Sequence, residues 1–193
     1  MGMKEAFETF FAEMDRNSLK RTGKLPRIPY SSKYSSKELL LLDTLDNNGY
    51  AVWRPRLQDE PVNFEKIESE IGFSIHPQIK EYLTTYWFRK LEGRIKRSEG
   101  DVIFKLDGII PGTLFDELIR CRFNSEETHY LKDHKYFLIG TYCAINGVDA
   151  FLVQVNNDTC EVTAVDMGSH SSVKLADSIE DLLMNMKGKW LEI

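Results

Sequence analysis

Residues 136–165 read YFLIGTYCAINGVDAFLVQVNNDTCEVTAV. Three apolar runs, Tyr136–Thr141, Asp149–Val155 and Cys160–Val165, are separated by Asn146-Gly147 and by Asn156-Asn157-Asp158. Asn and Gly tolerate the left-handed backbone that a tight reversal requires, so each joint turns the chain back on itself. The stretch predicts an antiparallel meander. After it, a helix is expected from Asp177, with Glu180 three residues on in a capping-box-like arrangement and Ile179, Leu182, Leu183 and Met186 on its buried face. Before it, Asp101–Leu106 reads as a strand and Pro111-Gly112 as a turn. Leu114, Phe115, Leu118 and Ile119 then mark a helix over Thr113–Arg122.

The first half of the chain alternates helix and strand patterns. Phe7, Phe10, Phe11 and Met14 recur at the i, i+3, i+4, i+7 spacing of one helix face, from Met3 to about Leu19. Arg16 to Lys37 contains seven bases and no acid, together with Pro26 and Pro29, and reads as a basic connector that packs down through Leu25, Ile28, Tyr30 and Tyr34. Tyr50 to Pro55 comes directly after the turn formers Asn47-Asn48-Gly49 and reads as a strand. Phe64, Ile67 and Ile71 define a short helix that Asn63 can cap and Gly72 can stop. A second helix is expected to start at His76-Pro77 and to run through Ile79, Tyr82, Leu83 and Tyr86 to about Glu92-Gly93. With no repeat period and no interior linker, the reading is α+β: a single domain over residues 1–193, a mainly antiparallel sheet packed by helices. Residues 1–37 form its N-terminal helix plus basic connector.

Composition supports a packed globule. Of the 193 residues 42% are hydrophobic, and eleven Phe, eight Tyr and three Trp are far more than a solvated tail carries. The longest aliphatic run is Leu39-Leu40-Leu41-Leu42, against the ~20 apolar residues of a membrane-crossing helix. Cys121, Cys143 and Cys160 include no C-x-x-C pair and are expected to be small buried residues in a reducing compartment. The first residues lack the apolar run of a signal peptide, so the cytoplasm is the expected location.

Charge gives the first hint of function. The net charge is -5, distributed as eight bases and four acids over residues 1–37, and 17 bases and 26 acids over residues 38–193. An acidic body attracts basic partners and repels phosphate. Of the histidines, His76 is expected to cap a helix, His129 and His134 to lie on the surface, and His170 to sit in a loop. No H-E-x-x-H, G-x-S-x-G or phosphate-binding loop occurs, so neither enzyme chemistry nor a cofactor or metal is expected. Two charged sets stand out as binding candidates. One is acidic: Asp59, Glu60, Glu65, Glu68 and Glu70, with Asp107, Asp116 and Glu117 as candidate spatial neighbours. The other is basic: Arg89, Lys90, Arg94, Lys96 and Arg97. On sequence alone an ordinary solvated helix face is the better account of the first, and a helix C-terminus favoured by its dipole accounts for the second.

The block Val52-Trp53-Arg54-Pro55, Asn63-Phe64-Glu65-x-Ile67-Glu68 and His76-Pro77-x-Ile79-x-x-Tyr82-x-Thr84-Thr85 resembles the SecY-interacting Syd family of the SUKH superfamily. The resemblance implies a compact domain, a peripheral place on the cytoplasmic side of the membrane, and an acidic groove that receives basic cytoplasmic loops of the channel SecY. The related SUKH immunity proteins imply an alternative, occlusion of a basic toxin such as a nuclease. The Tyr-Thr run continues here as Tyr86-Trp87-Phe88-Arg89-Lys90, more basic than the family pattern.

Overall fold

The computed structural model describes residues 2–32, 38–98, 100–124 and 136–188. Tyr34, His129, His134 and the charged stretch around the two histidines lie outside the described residues. The chain opens with helix α1 (Met3–Thr22), whose buried face is Met3, Ala6, Phe7, Phe10, Phe11 and Met14. Gly23 ends it in the left-handed conformation, at φ 70°. The basic connector therefore begins later than expected. Arg16 to Thr22 remain helical, because neither Gly nor Pro occurs between Met3 and Gly23.

Beyond Gly23 the chain builds a small sheet of β1 (Arg27–Pro29), β3 (Tyr50–Trp53) and β2 (Leu40–Leu41), ordered β1-β3-β2 and antiparallel at both seams. A two-stranded ribbon pairs β4 (Arg56–Leu57) with β5 (Tyr86–Trp87). Between these two strands in the chain lie α2 (Phe64–Ile71) and α3 (Pro77–Thr85). Asn63 caps α2 by accepting the Lys66 N–H, and Gly72 closes it at φ 83°. His76 caps α3 through Nδ1, which accepts the Gln78 N–H at 3.2 Å.

α3 stops at Thr85 and not near Glu92. Beyond Tyr86 the chain is strand, and β6 (Leu91–Arg97) alternates buried Leu91, Gly93 and Ile95 with more exposed residues between them. Period two governs there, and the β-branched and aromatic run Thr84 to Phe88 turns the chain into it. The basic set consequently lies around a strand and not at a helix end.

The main sheet has the order β11-β10-β9-β8-β7-β6-β12, every seam antiparallel. It comprises β6, β7 (Gly100–Leu106), β8 (Tyr136–Ile145), β9 (Val148–Asn156), β10 (Val162–Asp166), β11 (Ser172–Ala176) and β12 (Lys187–Gly188), with α4 (Phe115–Asn124) between β7 and β8. The meander read from residues 136–165 is β8, β9 and β10. Asn146 and Gly147, both at positive φ (52° and 83°), make the two-residue hairpin turn. β11 is a strand where the sequence suggests a loop. His170, at φ 57°, turns the chain into this short strand, whose exposed Ser172 and Lys174 offer no apolar alternation to read.

The sheet curls. Its β8–β9 register shifts at Gly140 and Cys143, irregularities that bend strands. The Arg97 guanidinium on β6 reaches across to β11 and donates to the backbone oxygens of Lys174 and Leu175, the latter at 3.1 Å, although four strands separate the two in sheet order. Arginine thus occupies acceptors that an open edge would leave unpaired. After β11, α5 (Ile179–Asn185) packs against α1 and α3 and delivers β12 to the β6 edge, where Met186 fills the space above Gly93. A Cβ on Gly93 would lie 2.1 Å from Met186 Cγ. Ser178, not Asp177, caps α5 by accepting the Asp181 N–H, one residue later than expected. Phe7 stacks with Phe11 and Tyr82 and touches Tyr86 and Phe88, so α1, α3 and β5 share one aromatic centre.

Candidate partner-binding surface

The eight carboxylates sort into three environments. Glu68 faces inward, its side chain 17% exposed, accepting the Ile75 N–H and the Lys80 ammonium at 2.6 Å each. Burial alone would raise its pKa. The Lys80 and Ile75 bonds outweigh that and hold the carboxyl below its ordinary value. Asp107, just after β7 and 16% exposed, accepts the Thr141 hydroxyl at 2.9 Å with Lys90 at 3.5 Å and Arg122 at 3.8 Å. These two acids serve the fold.

Glu70 and Asp116 lie where α2 and α4 run side by side. Arg120 bridges them, at 2.8 Å from Glu70 and 3.9 Å from Asp116, and Lys66 makes a short ion pair with Asp116. The Lys66 bond draws the Asp116 carboxyl below its usual range and raises the Lys66 ammonium above its own.

Asp59, Glu60, Glu65 and Glu117 are exposed and have no ion pair among the described residues. Asp59 and Glu60 lie in the loop leading into α2, which Gln58 fastens to the carbonyls of Leu83 and Tyr86 at 2.6 and 2.9 Å. Glu65 occupies the first turn of α2 and Glu117 the first turn of α4, where carboxylates are favoured by the helix dipole. Setting aside Glu68 and Arg122, which are engaged inside the fold, α2 and α4 together carry Glu65, Glu70, Asp116 and Glu117 against Lys66 and Arg120. Leu114, 63% exposed, sits at the start of α4 beside them.

The basic set is largely engaged within the fold. Lys90 pairs with Asp107, Arg94 with Asp101 at 3.2 Å, and Arg97 with the β11 carbonyls. Lys96 is exposed.

Sequence reading misses a joint beside α3. Asn157 in the β9–β10 turn accepts the His76 N–H at 2.9 Å and donates to the Ser74 carbonyl at 2.8 Å, while Cys160 Sγ lies 2.8 Å from His76 Nδ1. Partners more than 80 residues apart leave no local pattern to detect. The Cys160–His76 pair has the spacing of a thiol–imidazole dyad but not its electrostatics. Burial pushes the Cys160 thiol up to about 11, helped by the negative charge of Glu180. Cys160 and Cys143 are buried as expected, whereas Cys121 is exposed, because α4 turns Phe115 and Ile119 inward instead. Among the described residues no group of three His, Cys, Asp or Glu side chains is placed to hold a metal ion, and no helix is long and apolar enough to cross a membrane.

Such a molecule, a curled antiparallel sheet packed by helices with exposed carboxylates on α2 and α4, is a small α+β domain. Residues 4–107 match the family described as Syd protein (SUKH-2), more than half of the chain, and the protein belongs to that family. It is also similar to Protein Syd of Colwellia psychrerythraea strain 34H, with 23% identity over 192 residues, 96% of this chain and 92% of that protein. The family match ends at Asp107, so the α4 carboxylates lie beyond it.

Proposed function

We propose that this protein is a non-catalytic binding module that docks on basic cytoplasmic loops of the SecY channel through the α2–α4 face and the loop leading into α2. Family membership carries the proposal. Asp59, Glu60, Glu65 and Glu117, without an ion pair among the described residues, agree with it physically, because they keep their charge available to an incoming Lys or Arg. Leu114 beside them offers an apolar contact that a purely electrostatic surface lacks. Attraction of this kind steers encounter and fixes orientation, and it weakens as salt shortens the screening length to ~8 Å at physiological strength.

The test is binding of the full chain to reconstituted SecY. Glu65→Lys with Glu117→Lys is expected to weaken binding by about tenfold at low salt, with the difference shrinking as salt rises. Unchanged affinity at low salt would overturn the assignment of this face.

A further inference from the structure

The curl of the main sheet creates a joint that no ladder closes. Among the described residues β11 pairs with β10, and β6 pairs with β7 and β12. β12 covers the β6 edge at Gly93 and Arg94, and Arg97 lies beyond it. There the Arg97 guanidinium crosses to β11 and donates to the carbonyls of Lys174 and Leu175. The seams inside the sheet are different in kind, each joined by backbone bonds in register.

Both sides of this joint are firm. β11 is laddered to β10, and its Lys174 pairs with Glu161 at 2.8 Å and Asp177 at 2.6 Å. On the other side the β6–β7 hairpin is pinned to the β8–β9 hairpin. Asn146 donates its N–H to the Asp101 carbonyl at 3.3 Å, and a Cβ on Gly100 would lie 1.7 Å from Asn146 Oδ1. Register shows what stands behind the joint. Cys143 pairs with Phe104 and Phe104 with Gly93, without irregularity, and Gly93 shares its face of β6 with Ile95 and Arg97. Cys143 is fully buried, two strands in from β6 and three from β11, on the face that Arg97 crosses. Burial pushes its thiol up to about 12, with the charge of Arg97 acting in the opposite direction.

We infer that Arg97 is a latch, and that the β6–β11 joint opens locally, ahead of the rest of the sheet, giving solvent passage to Cys143. A laddered seam must lose several backbone bonds together before it parts. The latch is released by a change of rotamer in one half-buried side chain, after which water satisfies the guanidinium and both carbonyls. Because β11 stays laddered to β10 and the two hairpins stay pinned, release parts the joint without unfolding either side of it. The Cys160 end of the sheet has no such weakness. Its turn is tied to His76 and Ser74 through Asn157, both bonds made within a buried site.

Thiol labelling of the full chain tests the latch. Exposed Cys121 reacts with N-ethylmaleimide at once, and mass mapping of peptides then follows the two buried thiols, Cys143 and Cys160, separately. In the wild type Cys143 is expected to label about tenfold faster than Cys160, because local opening reaches it and only larger opening reaches Cys160. Arg97→Ala should speed Cys143 by about a further tenfold and leave Cys160 within about twofold. Arg97→Lys, which lacks the planar fork that spans two carbonyls, should fall between the two. Amide exchange in Arg97→Ala should rise along β11 and not along β9. Equal labelling of Cys143 and Cys160 in the wild type overturns the local opening, and that comparison needs no variant to fold. A Cys143 rate that Arg97→Ala leaves unchanged overturns the latch. So does a parallel rise at both buried thiols, which would make Arg97 a support of the whole fold. No partner enters the experiment, so its outcome and that of the α2–α4 assignment are independent.

Discussion

Glu65 and Glu68 are one turn apart on the same helix, and they are put to opposite uses. Glu68 turns toward α3, where it fastens the loop at Ile75 and the ammonium of Lys80. Glu65 points to water and touches no cation among the described residues. The α2–α3 joint uses its charge inside the fold, and the α2–α4 face keeps part of its charge for the outside. A run of acids in a sequence is therefore not yet a surface. The angle each residue makes with the core converts one into the other, and on a helix a three-residue step, which falls about 60° short of a full turn, is enough to change that angle.

The comparison is broken most severely at Glu68. Glu68→Lys leaves the Ile75 N–H without its acceptor and sets two ammonium groups against each other, and is expected to cost about 3–4 kcal/mol in denaturant unfolding. Glu68→Gln keeps an acceptor for Ile75 and should cost less. The pH dependence separates charge from shape. The folded-state carboxyl is held below its ordinary value, so its contribution is present above the unfolded value of about 4.3 and is lost as pH falls through the lower folded value. Wild type and Glu68→Gln should differ most in stability near neutrality and converge at acid pH. A constant gap would mean that the Lys80 pair contributes nothing.

Second in size is the joint's other anchor. Asn157→Ala removes one acceptor and one donor from a buried site and leaves the His76 N–H and the Ser74 carbonyl unmatched, a loss of about 2–3 kcal/mol. Equal unfolding midpoints for wild type and variant would show that the β9–β10 turn does not hold α3.

These two sites show where sequence reading reaches its limit. The meander is legible because Asn146-Gly147 and the alternation around it are local, and Asn63, Gly72, His76 and Pro77 announce their helix ends for the same reason. The stretch after Tyr86 misleads because buried Tyr82, Leu83 and Tyr86 extend a helical spacing for one position past the point where strand geometry takes over. Within the acidic set, sign is legible and direction is not. Glu68 and Asp107 separate from Glu65 and Glu117 only once Lys80, Lys90 and Arg122 are placed in space. Partners that far apart in the chain have no spacing rule.

Smaller effects sharpen the same contrast at the helix ends. Asn63→Ala removes the acceptor for the Lys66 N–H and is expected to cost about 1 kcal/mol, as is Ser178→Ala at α5. α5 packs on α1 and carries β12 to the sheet, so loosening it should raise amide exchange at the β6 edge as well. The Asn63 variant should raise exchange at α2 alone. Identical exchange maps for the two variants would contradict this division.

The smallest expected change in stability belongs to the pair proposed to bind. Glu65→Lys with Glu117→Lys removes no ion pair among the described residues, so in salt that screens the helix dipole its unfolding free energy should stay within about 0.5 kcal/mol of wild type. The opposing effect is the helix dipole, which disfavours a cation in the first turn by at most about 1 kcal/mol at low ionic strength and less in salt. Were the double variant instead to lose as much stability as Glu68→Lys, these carboxylates would have hidden partners within the fold, and the distinction between an inward and an outward face of α2 would collapse. With stability preserved and SecY binding reduced, one helix carries its structural and its recognition charges a single turn apart, and a three-residue shift in register would bring Glu65 to the inward position.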